Sequence, residues 1–312
     1  MTSFAFLFPG QGSQAVGMLD AWGAHPAVRD TLGEASAALG EDIASLIREG
    51  PKDALDLTTN TQPVMLTAAI ACYRAWRAEG GGEPVAAAGH SLGEYTALVA
   101  AGALTLADAL PLVRFRAQAM QEAVPVGIGA MAAILGLDAQ AVLEGCAQAA
   151  ASSGEVVEAA NFNDPKQTVI AGSRAGVDKG CEVLKAMGAK RVLLLSVSAP
   201  FHSSLMKPAA ERLRERLSTV AIAVPRFPVV NNVDASIVND GAAIREALYR
   251  QAFGAVRWVE VVQALRARGL THLLECGPGK ALAGMVKRID ASAVTMTIFD
   301  PATLIEAKEL LA

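Results

Sequence analysis

The sequence predicts an α/β protein in which a mostly parallel sheet carries a smaller inserted subdomain. Three observations lead there. Short apolar runs at residues 4–8, 84–88 and 271–276 each break into a Gly-rich loop and then a helical pattern, and such units build parallel sheets with their loops gathered at the strands' C-terminal ends. Residues 126–197 read strand, helix, strand, strand, helix, strand, the ferredoxin-like order, within a stretch compact enough to be an insertion. The chain's 312 residues also exceed what one domain of ~150 residues needs. The division that follows places 1–125 with 198–312 in a large α/β domain and 126–197 in the insertion.

Composition narrows the classes. Hydrophobic residues make up 52% of the chain and charged ones 19%, which excludes a disordered protein. Much of that apolar total is alanine, and the longest weakly charged run, residues 95–113, contains Asp108 and Pro111, so no membrane span is expected. The N-terminal Met1-Thr2-Ser3-Phe4-Ala5-Phe6-Leu7-Phe8-Pro9 has no basic residue and too short an apolar core for a signal peptide. A cytoplasmic location is expected. The net charge of −4, with no basic stripe interleaved with aromatics, argues against general nucleic-acid binding. Cys72, Cys146, Cys181 and Cys276 are scattered singly and suggest neither a metal site nor a disulfide framework, but small buried residues in a reduced compartment.

In chain order, residues 4–8 form a strand that enters Pro9-Gly10-Gln11-Gly12-Ser13-Gln14-Ala15. Gly10, Gly12 and Ala15 match a dinucleotide fingerprint in form, but no second strand ending in an acidic residue follows ~20 residues on. The loop is better read as backbone N–H groups brought close to a reacting group. Residues 59–77 carry the apolar spacing of a long buried helix. The next strand ends in Gly89-His90-Ser91-Leu92-Gly93 and continues into an Ala-rich helix, the pattern of a nucleophile elbow. A bare GxSxG also arises by chance in Gly- and Ala-rich chains; here the flanking strand and helix patterns support the elbow. Its geometry lifts the Ser91 hydroxyl out of the backbone and aims the first N–H groups of the helix at whatever Ser91 attacks.

Thr105 is a plausible N-cap for a helix to about residue 124. Its apolar stripe runs Leu106, Ala109, Leu110, Val113, Ala117, Met120, with Arg116 at the stripe's edge and Arg114 turned further away. Arg116 is therefore a candidate buried cation, the alternative being that it snorkels to the surface. Within the insertion, strands are expected at 129–137, 156–162, 167–172 and 190–197 and helices at 138–151 and 175–187. None of its strands ends in acid–base groups, so the insertion is expected to wall a cleft. The chain returns through Ser198-Ala199-Pro200-Phe201-His202-Ser203-Ser204, a helix at 205–220, a strand-like stretch at 227–233, a helical segment at 244–268 broken at Phe253-Gly254, and a strand at 271–276 leading to a last helix.

A serine hydroxyl needs a base within hydrogen-bond reach, and the chain has four histidines. His90 adjoins the nucleophile, where neighbouring side chains diverge; His25 lies in a polar loop, and His272 within an apolar strand. His202 alone stands at a strand end after a proline, among hydroxyl residues, and is the candidate base. No Asp or Glu stands out to orient it, which leaves a backbone carbonyl or an amide side chain, and a dyad rather than a triad.

Taken together, Phe8-Pro9-Gly10-Gln11-Gly12-Ser13-Gln14, Gly89-His90-Ser91-Leu92-Gly93-Glu94-Tyr95, Arg116 with Met120-Gln121, Asn161-Phe162-Asn163, Phe201-His202, Val230-Asn231-Asn232-Val233 and Glu275-Cys276-Gly277-Pro278-Gly279 resemble the malonyl-CoA:acyl carrier protein transacylase family across nearly the whole chain. The resemblance implies a hydrolase-like α/β domain with a ferredoxin-like insertion and transfer of malonyl from malonyl-CoA to acyl carrier protein through an ester on Ser91. It further implies His202 as general base then acid, the backbone N–H groups of Gln11 and Leu92 as the oxyanion hole, Arg116 as the grip on the malonyl carboxylate, Met120 and Phe201 as further substrate contacts, and the Gln251 carbonyl as the orienter of His202. No metal and no cofactor are implied. Two departures stand out. In related polyketide acyltransferase domains a phenylalanine at the position of Phe201 looks like the malonyl-selecting choice, and Ala255-Val256-Arg257-Trp258 lacks the family's Pro-Val before the tryptophan.

A free-standing acyltransferase serving a polyketide synthase would share every catalytic residue. A serine hydrolase is disfavoured by Arg116 and the missing acid, and a binding module by the intact Ser91 and His202. Carrier proteins are acidic, so docking is expected on local basic residues, with Lys185, Lys190 and Arg191 on the insertion and Lys280 and Lys287 across the cleft as candidates; ordinary solvated side chains are the alternative for all five.

Overall fold

The computed structural model describes residues 2–125 and 127–312. The larger sheet is parallel throughout and runs in the order β7-β2-β1-β8-β9, with β1 (Phe4–Phe8), β2 (Ala86–Gly89), β7 (Val229–Val230), β8 (His272–Cys276) and β9 (Val294–Ile298). β1 is buried along its whole length, as a central parallel strand covered on both faces must be. Its alternation sorts the two cores. Phe4, Phe6 and Phe8 point into one, where Phe6 meets Tyr73 and Trp76 edge-on at 6.0 and 5.8 Å, while Ala5 and Leu7 point into the other.

The helices before the insertion are α1 (Pro26–Leu39), α2 (Ile43–Glu49), α3 (Lys52–Asp56), α4 (Thr58–Ala78), α5 (Leu92–Ala100) and α6 (Leu106–Ala123). α4 is the long buried helix expected from its spacing, and Thr105 caps α6, accepting from the Asp108 N–H at 3.0 Å. After the insertion come α9 (Lys207–Ser218), α10 (Gly241–Phe253), α11 (Trp258–Ala267), α12 (Ala281–Ile289) and α13 (Pro301–Leu311). β9 and α13 extend the fold beyond the last helix expected from the sequence. The expected strand at 227–233 shrinks to two residues, because Pro228 has no N–H to give a ladder and this is the sheet's edge.

The second sheet is antiparallel, ordered β4-β5-β3-β6: β3 (Gly129–Leu135), β4 (Val157–Asp164), β5 (Gln167–Ser173) and β6 (Arg191–Leu194), with α7 (Ala139–Ser153) and α8 (Arg174–Ala186) on one face. This is the ferredoxin-like strand order. Val126, where the expected insertion starts, lies outside the described residues. The opposite face of the sheet, with Met131, Ala133, Ala160, Val169 and Ala171, packs against Val197 and Phe201. The insertion is also stitched to the larger sheet's loops. Phe162 donates to Val256 and Val256 to Ala160, both at 2.9 Å, and the Glu158 carboxylate accepts from the Ser204 N–H at 2.6 Å.

No helix among the described residues is long and apolar enough to cross a membrane.

Candidate active site

The loops after β1, β2 and β7 meet at the C-terminal end of the parallel sheet. At the end of β2 the chain reverses through Ser91 at φ 51° and enters α5 at Leu92, whose N–H is among the donors a helix start leaves unpaired. The turn needs both of its glycines. A Cβ on Gly89 would lie 1.9 Å from the Gly93 backbone, and one on Gly93 would lie 2.0 Å from the Phe8 carbonyl oxygen. Gly10 presses the first loop onto the elbow just as closely, its Cβ position being 2.5 Å from the His90 carbonyl oxygen. Gln11 is anchored there by its side chain, which donates to Thr58 Oγ1 at 3.1 Å.

Backbone strain of this kind persists only where the surroundings hold it, and Asn232, fully buried after β7, does so. Its Oδ1 accepts from the Ser91 N–H at 2.7 Å and its Nδ2 donates to the Gly89 carbonyl at 2.8 Å. The sequence marked Asn232 within a motif without giving it a role; only the fold brings residues 89 and 232 together.

His202 also has positive φ, 60°. It lies not at a strand end but in a turn eight residues beyond β6, because β6 stops at Leu194 and residues 195–201 form the descending loop. Its Nδ1–H donates to the carbonyls of Gln251 at 2.9 Å and Gly254 at 3.2 Å. Carbonyls only accept, so the proton resides on Nδ1 and Nε2 is bare toward the Ser91 hydroxyl, 2.7 Å away. Burial, and after it the neighbouring Arg116 charge, pushes the imidazole down to about 3. At neutral pH it is an uncharged base.

Arg116 is buried, 2% exposed. Arg114, on the other side of the same helix, instead reaches Glu41 with two 2.8 Å hydrogen bonds. The Arg116 guanidinium donates to Gln62 Oε1 at 2.8 Å, to Gln251 Oε1 at 3.1 Å and to Ser91 Oγ at 3.1 Å, and lies 5.4 Å from the centre of the Tyr95 ring. None of these acceptors is a carboxylate, and its Nε has no partner among the described residues. It is a buried cation facing the Ser91 hydroxyl with no counter-ion bonded to it.

These groups line a cavity of ≈ 150 Å³ together with Gln11, Gln62, His90, Leu92 and Phe201, and with Met131, Asn161, Leu195 and Val197 from the insertion. The insertion thus walls the cleft. Met120 does not line the cavity: one turn beyond Arg116 on α6, it is absorbed into the core at 1% exposure. Gln62 sits on the buried face of α4, and nothing in the helical pattern distinguishes it from a packed polar residue. His90 bonds Asn163 Oδ1 at 2.9 Å and packs on Trp258; His25 pairs with Glu79, and His272 with Thr271. The Ala255-Val256-Arg257-Trp258 departure is accommodated, with Trp258 fully buried and opening α11.

Among the described residues no cluster of three His, Cys, Asp or Glu side chains is placed to hold a metal. Lys185, Lys190, Arg191, Lys280 and Lys287 are all exposed, with Lys287 Nζ donating to the Ala293 carbonyl at 2.7 Å.

A family model described as an acyl transferase domain matches residues 5–292. The malonyl CoA-acyl carrier protein transacylase of Escherichia coli strain K12 is 50% identical over 311 residues, covering 99% of this chain and 100% of that protein. The crystal structure of an acyl-carrier-protein S-malonyltransferase from Burkholderia pseudomallei superposes with a TM-score of 0.97 at 63% identity, covering 99% of this chain and 100% of the other. A malonyl-transacylase solved in complex with a type II polyketide synthase acyl-carrier protein superposes equally, TM-score 0.97, at 46% identity over 99% of this chain and 100% of the other.

Proposed function

We infer that this chain, which belongs to the acyl transferase domain family, transfers the malonyl group of malonyl-CoA to the phosphopantetheine thiol of acyl carrier protein, supplying fatty acid elongation. The observation that carries the reading is the buried, carboxylate-free Arg116 3.1 Å from a serine that is itself 2.7 Å from a bare imidazole nitrogen.

The reaction runs in two halves through one ester. Ser91 Oγ attacks the thioester carbonyl of malonyl-CoA as His202 Nε2 takes the hydroxyl proton. The tetrahedral intermediate places its oxyanion against the N–H groups of Gln11 and Leu92, the C–S bond breaks, and His202 returns the proton to the departing CoA sulfur. In the second half the phosphopantetheine thiol gives its proton to His202, its sulfur attacks the malonyl ester, and Ser91 Oγ leaves with that proton. Arg116 holds the malonyl carboxylate through both halves. Because acetyl lacks that carboxylate, it leaves the buried guanidinium unpaired. Phe201 narrows the space beside the acyl α-carbon, and Gln251 keeps His202 in the required tautomer.

The chemistry uses the substrates and these side chains alone, with no cofactor. It takes place in the cytoplasm, in the cleft between the domain formed by 1–125 with 198–312 and the insertion at 126–197. Lys185, Lys190, Arg191, Lys280 and Lys287 are the proposed landing points for the acidic carrier. The similarity to a transacylase complexed with a polyketide carrier supports a second reading, in which the carrier belongs to a polyketide synthase; transfer assays with each carrier separate the two.

The first test is the mass of the intact protein after incubation with malonyl-CoA. The wild-type chain is expected to gain one malonyl group and Ser91→Ala none. A malonylated Ser91→Ala protein would remove Ser91 from the mechanism.

A further inference from the structure

Behind the elbow lies a carboxylate that the reaction does not touch. Glu94, in the first turn of α5, is 2% exposed and does not line the cavity. Its Oε2 accepts from the Asn232 backbone N–H and from Gln251 Nε2, both at 2.9 Å. Each donor leads back to a reacting group. Asn232 clasps the strained backbone of Ser91. Gln251 also donates to the Ser91 carbonyl at 2.9 Å, accepts from Arg116 Nη2 at 3.1 Å on Oε1, and receives the His202 Nδ1–H on its main-chain carbonyl.

We propose that Glu94 is a positioning residue that sets which end of the Gln251 amide faces Arg116, and thereby the preference for malonyl over acetyl; this rests on the reading of Arg116 given above. The two ends of an amide are nearly isosteric but opposite in hydrogen bonding. Turned over, Gln251 would aim an NH₂ at a guanidinium that can only donate. The amide is held the right way round by two acceptors on its Nε2 side, the Ser91 carbonyl and Glu94 Oε2. Glu94 does this from one residue's remove. The oxygens bonded to Arg116 are those of Gln62, Gln251 and Ser91, so the carboxylate orients the amide without occupying the guanidinium that the substrate carboxylate needs. Burial lifts the Glu94 carboxyl to about 7, against the two hydrogen bonds it accepts. Oε2 already holds two donors, so a proton taken up near neutrality goes to the other oxygen and Oε2 continues to accept.

The discriminating change is Glu94→Met, which keeps the length of the side chain but removes the oxygen that accepts from Asn232 and Gln251. Loss of one to two hydrogen bonds' worth of orientation predicts a fall of about five- to tenfold in the malonyl-to-acetyl ratio of kcat/KM. The fall is carried by malonyl-CoA and measured as acyl-enzyme formation beside a thermal melt. Gln251→Met, which removes the relay and leaves the main-chain carbonyl to His202, is expected to lower the ratio as much, and the double variant no further. A folded Glu94→Met that slows both donors equally or neither, or a Gln251→Met that keeps the wild-type ratio, overturns the proposal; the second readout stands even where Glu94→Met does not fold. A wild-type protein with no malonyl preference would instead overturn the reading of Arg116.

Discussion

Replacing Arg116 by alanine separates selection of the acyl group from the chemistry at Ser91. In the wild-type site the guanidinium is 2% exposed and its donors go to the neutral oxygens of Gln62, Gln251 and Ser91. An arriving malonyl carboxylate therefore meets a desolvated cation with no ionic partner to displace, a situation in which close charge pairs couple by about 1.5–7 kcal/mol. The carboxylate must displace at least the contact to Ser91 Oγ, so a value of ~3 kcal/mol is reasonable, or roughly a 10²-fold loss of kcat/KM with malonyl-CoA. The same substitution acts on the base. After burial, the Arg116 charge is the next cause of the low His202 value, so its removal makes imidazolium formation easier in the acylation step. Acetyl-CoA, which gains nothing from Arg116, is expected to react as fast or faster in Arg116→Ala. Steady-state transfer with both donors, backed by intact-mass detection of the acyl-enzyme, measures the ratio. An unchanged malonyl-to-acetyl ratio in a folded Arg116→Ala protein would refute the reasoning.

Two further outcomes follow from the geometry. Gly10→Ala places a Cβ 2.5 Å from the His90 carbonyl oxygen and should destabilise the fold by about 1–3 kcal/mol. Because the Gln11 N–H is displaced with the loop, acylation should slow by about 10²-fold; wild-type melting and acylation together would show that the loop does not bear on the elbow. The second concerns pH. With His202 held down to about 3 in the folded chain against an ordinary 6.5, kcat/KM for acylation should stay level as pH falls through 6.5. The contribution of His202 to stability should decline over that same interval, since below 6.5 the unfolded chain takes up a proton that the folded one refuses. An acid limb of kcat/KM centred near 6.5, in protein shown by circular dichroism to be folded there, would contradict the assigned environment.

Much of this molecule is written locally in its sequence. The strand, glycine and helix pattern around Ser91 specifies an elbow because the turn has no room for a Cβ at Gly89 or Gly93, and that requirement is visible in residue types a few positions apart. The βαββαβ insertion was equally legible, since its strands and helices follow from short-range apolar periodicity, and Thr105 announced the start of α6. With four histidines in the chain, His202 is singled out by scarcity and by its hydroxyl-rich surroundings. What periodicity could not reach are the contacts made across the fold. Whether Arg116 surfaces or is buried depends on Gln62 and Gln251, 54 and 135 residues away in the chain, so its place on the edge of a helical stripe left both outcomes open. Met120 shares that stripe, and only packing against the core distinguishes it from a residue of the cavity. The sequence by itself determined the elbow at Ser91 and the class of fold, because those depend on sterics and periodicity among near neighbours. Tertiary structure alone decided that two main-chain carbonyls accept from His202 Nδ1, that Asn232 and Glu94 bond the elbow from behind, and that the buried Arg116 is left without a counter-ion, because burial and hydrogen bonding between residues 49 to 157 positions apart are properties of the assembled fold.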